Sequence, residues 1–211
     1  MRFLSNINRY SIIASILCLI IAAIVIAPGY LLYQKDKSAV GQCIVLLVGP
    51  ENDLREEKAL ELMHRGRIRY LFIPAKKTLI TLLDNGTIIP VNLPSISYPS
   101  VYELKKFKRY CFYEETQLEI MLAKKGVDSL GFRSITFVSS PYHMRRVSMI
   151  AESVFDTHTY SLSYAPGHPQ HRHNEAWMFR IPDLRWVTSE YLKIGWFLMY
   201  DNYPSILKLL S

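Results

Sequence analysis

One strand-to-helix junction constrains the fold of this chain more than any other feature of its sequence. The β-branched and aromatic run at residues 135–138 stops abruptly at Ser139-Ser140-Pro141, and an amphipathic helical pattern then continues to about residue 155. Ser140 is a good N-cap residue, and Pro141 is a good first helical residue. The junction therefore predicts a buried strand that leads directly into a helix, which is the repeating unit of an α/β sheet.

Strands and helices alternate along the rest of the sequence as well. Further strands are predicted at residues 43–48, 70–73 and 159–163, and further helices at residues 53–66, 115–125 and 188–200. Gly66 and Gly126 are predicted to end the first two of these helices, and Asn85-Gly86 predicts a hairpin turn. The alternation predicts parallel βαβ units in a three-layer α/β domain, in which helices cover both faces of a mainly parallel sheet.

The first turn of the helix after the junction collects side chains that suit an anion. In parallel sheets, ligands bind at the carboxyl ends of the strands, where loops meet helix N-termini. The free N–H groups and the dipole of a helix N-terminus attract anions, and His143 with Arg145 or Arg146 would add charge beside them. Ordinary helix capping next to a solvated arginine face is the alternative interpretation of the same residues.

Residues 1–35 form a separate unit with the pattern of a membrane anchor. No charged residue occurs from Tyr10 to Tyr33, and an uncharged stretch of this length can span a bilayer as a helix. Arg2 and Arg9 precede it, so the positive-inside rule predicts a cytoplasmic N-terminus and an extracytoplasmic domain at residues 36–211. A cleavable signal peptide that ends near residues 27–29 is the alternative, which the length of the apolar stretch disfavours.

The charge and cysteine content of the chain give two further expectations. The formal net charge is +7, and most of the excess lies after the anchor, which favours anionic partners such as lipid headgroups, phosphates or nucleic acid. Cys18 lies in the apolar run, and Cys43 and Cys111 have the spacing of neither a CxxC pair nor a zinc knuckle. Two buried free thiols are favoured over a Cys43–Cys111 disulfide.

Two polar tracts allow weaker interpretations. A metal could bind at residues 168–175, which contain three histidines and a glutamate, but a solvated loop is favoured and no metal site is predicted. Residues 102–113 interleave basic and aromatic side chains in the manner of a single-strand nucleic-acid platform. Because the domain is predicted to lie outside the cytoplasm, we expect no nucleic-acid partner, and anionic lipid headgroups or a solvated helix face explain this tract better.

Residues 137–147, FVSSPYHMRRV, resemble the most recognisable stretch of the bacterial YdcF/SanA/ElyC family, a strand followed by a "VTSxYHMxRA"-like run. The resemblance covers roughly residues 41–200. Shorter stretches are similar to other family motifs, namely Thr116 with Glu119, Arg55 with Ala59, and Glu190-Tyr191-Leu192. The chain departs from the family at two glycine-rich turns. The turn after the first strand is reduced to Val48-Gly49-Pro50, and the turn after the second strand is replaced by residues 73–77.

This resemblance implies a Rossmann-like α/β domain. Envelope members of the family also carry an N-terminal anchor. The resemblance therefore also implies a role in envelope biogenesis or barrier integrity at the bacterial inner membrane. The family has no general established reaction and the sequence identifies no cofactor, so whether the chain is an enzyme stays open. The sequence contains no GxSxG nucleophile elbow.

The first functional hypothesis is a membrane-anchored envelope factor whose pocket binds a phosphorylated or otherwise anionic envelope precursor. In it, His143 is either an acid/base group or a hydrogen-bond donor to phosphate, and Glu119 is a base or an orienting group. The ligand-binding residues are Arg55, Thr116, Ser139, Ser140 and, as a charge clamp, Arg146. His143 and Arg146 are expected to be exposed in the pocket, so that replacing either of them leaves thermal stability nearly unchanged.

The second hypothesis is a catalytically degenerate interaction module for envelope assembly enzymes. The missing glycines favour it, because small glycine loops let the backbone approach a ligand closely. The intact His-Met-x-Arg block at residues 143–146 opposes it. A third hypothesis, a nucleic-acid binder, depends only on basic charge.

Overall fold

The computed structural model describes residues 11–19, 41–49, 52–65, 68–91, 101–106, 113–167 and 181–201, and residues 11–19 form helix α1. The strands are β1 (Cys43–Leu46), β2 (Tyr70–Ile73), β3 (Thr78–Leu82), β4 (Ile88–Val91), β5 (Ser134–Ser139) and β6 (Ser161–Pro166). The other helices are α2 (Asn52–His64), α3 (Val101–Lys106), α4 (Glu115–Ser129), α5 (Met144–Val154) and α6 (Ile181–Asp201).

The six strands form one sheet in the order β4-β3-β2-β1-β5-β6. Strands β2, β1, β5 and β6 are parallel, and β3 and β4 continue the sheet in antiparallel pairings at one edge. All four residues of β1 are buried, as expected for a central strand that is covered on both faces, and this explains its uninterrupted apolar sequence CIVL. The prediction of an α/β domain with a mainly parallel sheet is confirmed.

Helices pack on both faces of the sheet. On one face, Ala59 and Leu62 of α2 belong to a core that includes Ile44 and Leu46 of β1. On the other face, α4, α5 and α6 contribute to a second core that includes Val45. Successive β1 residues alternate between these cores because side chains of a strand point to opposite faces.

The strand order reverses direction between β1 and β5. From β1 the chain continues to β2 on one side, whereas β5 lies on the other side and leads to β6. In open α/β sheets, such a reversal leaves a crevice at the carboxyl ends of the two strands, where ligands bind. Residues 47–49 and residues 140–143 follow β1 and β5 and therefore border this crevice.

Several predicted boundaries change in the structure. Helix α4 continues through Gly126 to Ser129, so the prediction that Gly126 ends this helix is wrong. A Cβ atom at Gly126 would overlap the ring of Phe72, which shows that the glycine lets α4 approach β2 closely. Helix α2 ends at His64, and Gly66, which was predicted to end it, lies outside the described residues. Helix α6 begins at Ile181, seven residues earlier than predicted.

The hairpin predicted at Asn85-Gly86 joins β3 to β4, and Gly86 has a φ of +81°, which favours glycine. The last strand begins at Ser161 rather than at residue 159. The Asp156 carboxylate accepts hydrogen bonds from the Thr159 hydroxyl and from a backbone N–H, so this segment forms a turn before the strand.

Only residues 11–19 of the predicted anchor are described, and residues 27–29 of the alternative cleavage site lie outside the described part. Among the described residues, no helix combines the length and the apolar character that crossing a bilayer requires. The Cys43 thiol is free and buried, as predicted, so the alternative of a Cys43–Cys111 disulfide is wrong. Cys111 itself lies outside the described residues. Burial raises the pKa of the Cys43 thiol to about 12.

Candidate functional site

Arg55 connects the two strands that border the crevice. Its Nη1 atom donates a hydrogen bond of 2.7 Å to the carbonyl of Leu47, which follows β1, and its Nε atom donates one of 3.0 Å to Oγ of Ser140, which follows β5. The side chain is buried, with an exposed fraction of 1% for the residue. The first turn of α2 therefore delivers a guanidinium to the point where the strand order reverses.

Gly49 makes room for this guanidinium. A Cβ atom at Gly49 would lie 2.8 Å from Nη1 and 3.0 Å from Nη2 of Arg55. Those distances are too short for non-bonded atoms, so a side chain at this position would displace the arginine. The glycine that the chain keeps after β1 thus serves Arg55, whereas a glycine-rich turn would leave the backbone open to a ligand.

Glu119 lies on α4 beside the same crevice. Burial raises the pKa of its carboxyl to about 7, although the Arg55 guanidinium and a hydrogen bond from the backbone of Val48 both act to lower it. A carboxyl that titrates near neutral pH can either accept or release a proton under ordinary conditions. Strongly perturbed pKa values of this kind are concentrated at functional sites.

His143 is fixed by an acid from the last helix. Its Nδ1 atom lies 2.8 Å from Oε2 of Glu190 on α6, and the Glu190 side chain is fully buried. Burial lowers the pKa of His143 below its usual range, and the positive charges of Arg146 and Arg55 lower it further, against the raising effect of Glu190. The imidazole is therefore neutral at pH 7, and its Nε2 atom is the ring nitrogen that does not face Glu190.

Arg146 is the centre of a buried ion-pair network. Its Nε and Nη2 atoms donate to the two carboxylate oxygens of Glu190 at 2.7 and 3.2 Å. Its Nη1 atom donates to Oε2 of Glu114 at 2.6 Å and to Oγ1 of Thr116 at 2.8 Å. Nη2 also lies 3.0 Å from Nδ1 of His143. All three guanidinium nitrogens therefore have protein partners.

The two carboxylates that share Arg146 titrate differently. Burial would raise the pKa of Glu190, but hydrogen bonds from His143 and Arg146 outweigh it and lower the pKa to about 2. Burial raises the pKa of Glu114 despite its contact with Arg146, and the charge of Glu190 raises it further. Glu190, which pairs with Arg146 through both oxygens, is therefore the permanent counterion of the guanidinium.

Ser140 and the helix that follows it differ from the prediction. Residues Pro141–His143 form one turn of 3-10 helix, and α5 begins only at Met144. Ser140 occupies the N-cap position of that turn, but its side chain makes no capping hydrogen bond and instead accepts one from Arg55. Ser139 is buried as the last residue of β5, and its carbonyl accepts the N–H of Gly167.

The structure brings the predicted site residues together at one edge of the sheet. Arg55 contacts Ser140 and lies near Glu119, while Arg146 contacts Thr116 and His143. The expectation that His143 and Arg146 are exposed is wrong, because both are buried. Four other site residues are buried as well: Arg55, Glu119, Ser139 and Ser140.

Two acids of this cluster were not predicted as site residues. Glu190 shares one face of α6 with the buried residues Ile194 and Phe197, at spacings of four and seven residues. A lone carboxylate on an apolar helix face could have indicated a buried partner. Glu114 carries no comparable signal because it immediately precedes α4.

No group of three or more metal-ligating side chains occurs in the described part of the chain, and the histidine tract at residues 168–175 lies outside it. No protein-family model, no curated protein and no solved structure matches this chain significantly.

Proposed function

We propose that this chain is a membrane-anchored cell-envelope factor of the bacterial inner membrane, with a cytoplasmic N-terminus and an extracytoplasmic domain that binds a phosphorylated or otherwise anionic envelope precursor. The observation that carries the proposal is the convergence of Arg55, Glu119 and His143 where the strand order reverses. A buried cation, a carboxyl with a pKa of about 7 and a neutral imidazole are the groups that anion binding with proton transfer requires.

Within this site we assign different tasks to the two arginines. Arg55 lies in the crevice itself, between the carboxyl ends of β1 and β5, and supplies the positive charge for the ligand. Arg146 is surrounded by Glu190, Glu114 and Thr116, so it holds the network in place rather than clamping the ligand. Ser139, Ser140 and Thr116 line the same region.

The membrane anchor is supported by sequence and by exposure. The uncharged stretch from Tyr10 to Tyr33 follows two arginines, and the bulky apolar side chains of α1 are exposed: Ile12, Ile13, Ile16, Leu17 and Leu19. Apolar side chains on a helix without charged residues are stabilised when lipid covers them. This anchor supports the proposed localisation to the inner membrane.

A reporter fusion tests the topology. Alkaline phosphatase fused after Gln34 is expected to be active in a bacterial host, because Arg2 and Arg9 keep the N-terminus in the cytoplasm and only exported alkaline phosphatase folds. β-Galactosidase at the same junction should be inactive. The opposite pair of activities would contradict the proposed topology.

Sulfate binding at two pH values tests the anion site. Sulfate keeps the same charge between pH 6 and pH 8, whereas Glu119, with a pKa of about 7, is mostly protonated at pH 6 and mostly ionised at pH 8. Because an ionised carboxylate beside Arg55 repels an anion, we expect the full chain in detergent micelles to bind sulfate about 5-fold more tightly at pH 6 than at pH 8, which is the change for a carboxyl whose pKa of about 7 rises by one unit on binding. Isothermal titration calorimetry gives both affinities.

Two variants serve as controls for this measurement. Glu119→Gln should bind sulfate with nearly the same affinity at both pH values, because the titrating group is gone. Glu152→Gln makes the same change at an exposed position of α5 and should keep the pH dependence of the wild type. If the wild type binds sulfate at neither pH, the anion-binding proposal is wrong.

The second candidate function is a catalytically degenerate interaction module for envelope assembly enzymes. One observation favours it: the Arg55 guanidinium occupies the space beside Gly49 that a glycine-rich turn would leave to a ligand. Exposed apolar residues on α6, among them Leu192, Trp196 and Met199 at spacings of four and three residues, would then provide a surface for a partner. Absence of sulfate binding would favour this candidate.

A further inference from the structure

The contact between His143 and Glu190 determines which ring nitrogen of His143 carries the proton. Nδ1 of His143 lies 2.8 Å from Oε2 of Glu190. A neutral imidazole has one N–H donor and one acceptor nitrogen, so an Nδ1 atom this close to a carboxylate oxygen must be the donor if the carboxylate is ionised. The tautomer of His143 therefore depends on whether Glu190 is ionised.

Glu190 is held in its ionised form by permanent cations. Arg146 donates to both of its oxygens, at 2.7 and 3.2 Å, and Nζ of Lys193 lies 3.1 Å from Oε1. A guanidinium is always protonated and can only donate, so these contacts are favourable only to a carboxylate. The acid that faces His143 therefore accepts the Nδ1 proton.

The contact of 3.0 Å between Nη2 of Arg146 and Nδ1 of His143 would require the opposite tautomer, because arginine cannot accept a hydrogen bond. Nδ1 cannot accept from Arg146 and donate to Glu190 at the same time. The contact with Glu190 is shorter and joins a donor to an ionised acceptor, whereas Nη2 already has Oε1 of Glu190 as a partner. The Nδ1–H tautomer is therefore favoured.

We propose that Glu190 is a positioning residue that holds His143 in the Nδ1–H tautomer, so that the Nε2 lone pair accepts a hydrogen bond from a donor group of the bound ligand. This inference depends on the proposed function for the ligand, and it decides between the two roles of His143, because a neutral Nε2 lone pair accepts a proton and cannot donate a hydrogen bond to a phosphate. Glu190 itself does not contact the ligand in this arrangement. It acts through His143, as the orienting acid does in many proton-transfer sites.

Nitrogen NMR of the full chain in detergent micelles, with 15N-labelled histidine, reads the tautomer directly. The His143 signals are those that disappear in His143→Gln. At pH 7 we expect a protonated Nδ1 and an unprotonated Nε2 in the wild type. In Glu190→Met the acceptor is lost and Arg146 can donate to Nδ1, so the proton should move to Nε2. Asp201→Asn, an exposed carboxylate change on the same helix, should leave the tautomer unchanged.

An Nε2–H tautomer in the wild type would overturn the inference, and so would an Nδ1–H tautomer that persists in folded Glu190→Met. The wild-type spectrum decides the tautomer even if Glu190→Met does not fold. The NMR measurement needs no ligand, so its outcome is independent of sulfate binding. Failure of sulfate to bind would overturn the proposed function, whereas the wrong tautomer would overturn only the role of Glu190.

Discussion

Replacing Arg146 with methionine is expected to lower the free energy of unfolding by about 3–5 kcal/mol, because removal of one partner leaves a buried charge without compensation. The exposed fraction of Arg146 is 2%, and that of its main partner Glu190 is 0%. Glu114 and Thr116 would also lose the donor that joins them to this network. The methionine retains much of the apolar stem of arginine, so the lost charge and hydrogen bonds dominate the effect.

Chemical denaturation followed by circular dichroism measures this change, and two further variants identify its cause. In Arg146→Met/Glu190→Gln the uncompensated carboxylate is also removed, so more than half of the lost stability should return. Arg65→Met removes an exposed arginine that pairs with Glu61 on α2, and it should cost less than about 1 kcal/mol. If Arg146→Met were as mild as Arg65→Met, the buried network would not stabilise the fold.

The α/β class was predictable because each element signals itself locally. Strand β1 is a continuous apolar run, as strands buried on both faces are, and the junction after β5 contains a serine and a proline where a helix begins. Gly126 was misinterpreted because a glycine that admits a neighbouring ring looks the same in sequence as one that ends a helix. Only the approach of Phe72, from β2, distinguishes the two.

The sequence could predict which residues form the site, but not which of them contact each other. The loop that follows β5 and the first turn of α2 lie at the same edge of any parallel sheet, so Arg55, Ser140 and His143 could be grouped from sequence. The partner of Arg146 lies 44 residues away on α6, and no local pattern specifies that distance. This is also why burial was missed: an arginine in a helix is usually solvated unless a distant acid neutralises it.

Glu119 is expected to give the second large effect, a loss of stability as the pH rises. Burial raises its pKa from the ordinary value of 4.5 to about 7 in the folded protein, so the folded state holds its proton more tightly than the unfolded state does. The stability that this proton supplies is fully present below pH 4.5 and is lost as the pH rises through 7. The raised pKa corresponds to about 3 kcal/mol.

Glu119→Gln imitates the protonated acid at every pH, so it should match the wild type near pH 4 and be more stable than the wild type by about 3 kcal/mol near pH 8. Denaturation curves at both pH values measure the difference, and Glu152→Gln on the exposed side of α5 should follow the wild type at each pH. Glu119→Gln should thus be more stable at pH 8 and less sensitive to pH than the wild type. This is the behaviour expected of a functional carboxyl, because a site that needs a group with a pKa near 7 retains it at a cost in stability. Equal stability of Glu119→Gln and the wild type at pH 8 would instead show that Glu119 ionises freely and cannot serve as the titrating group of the site.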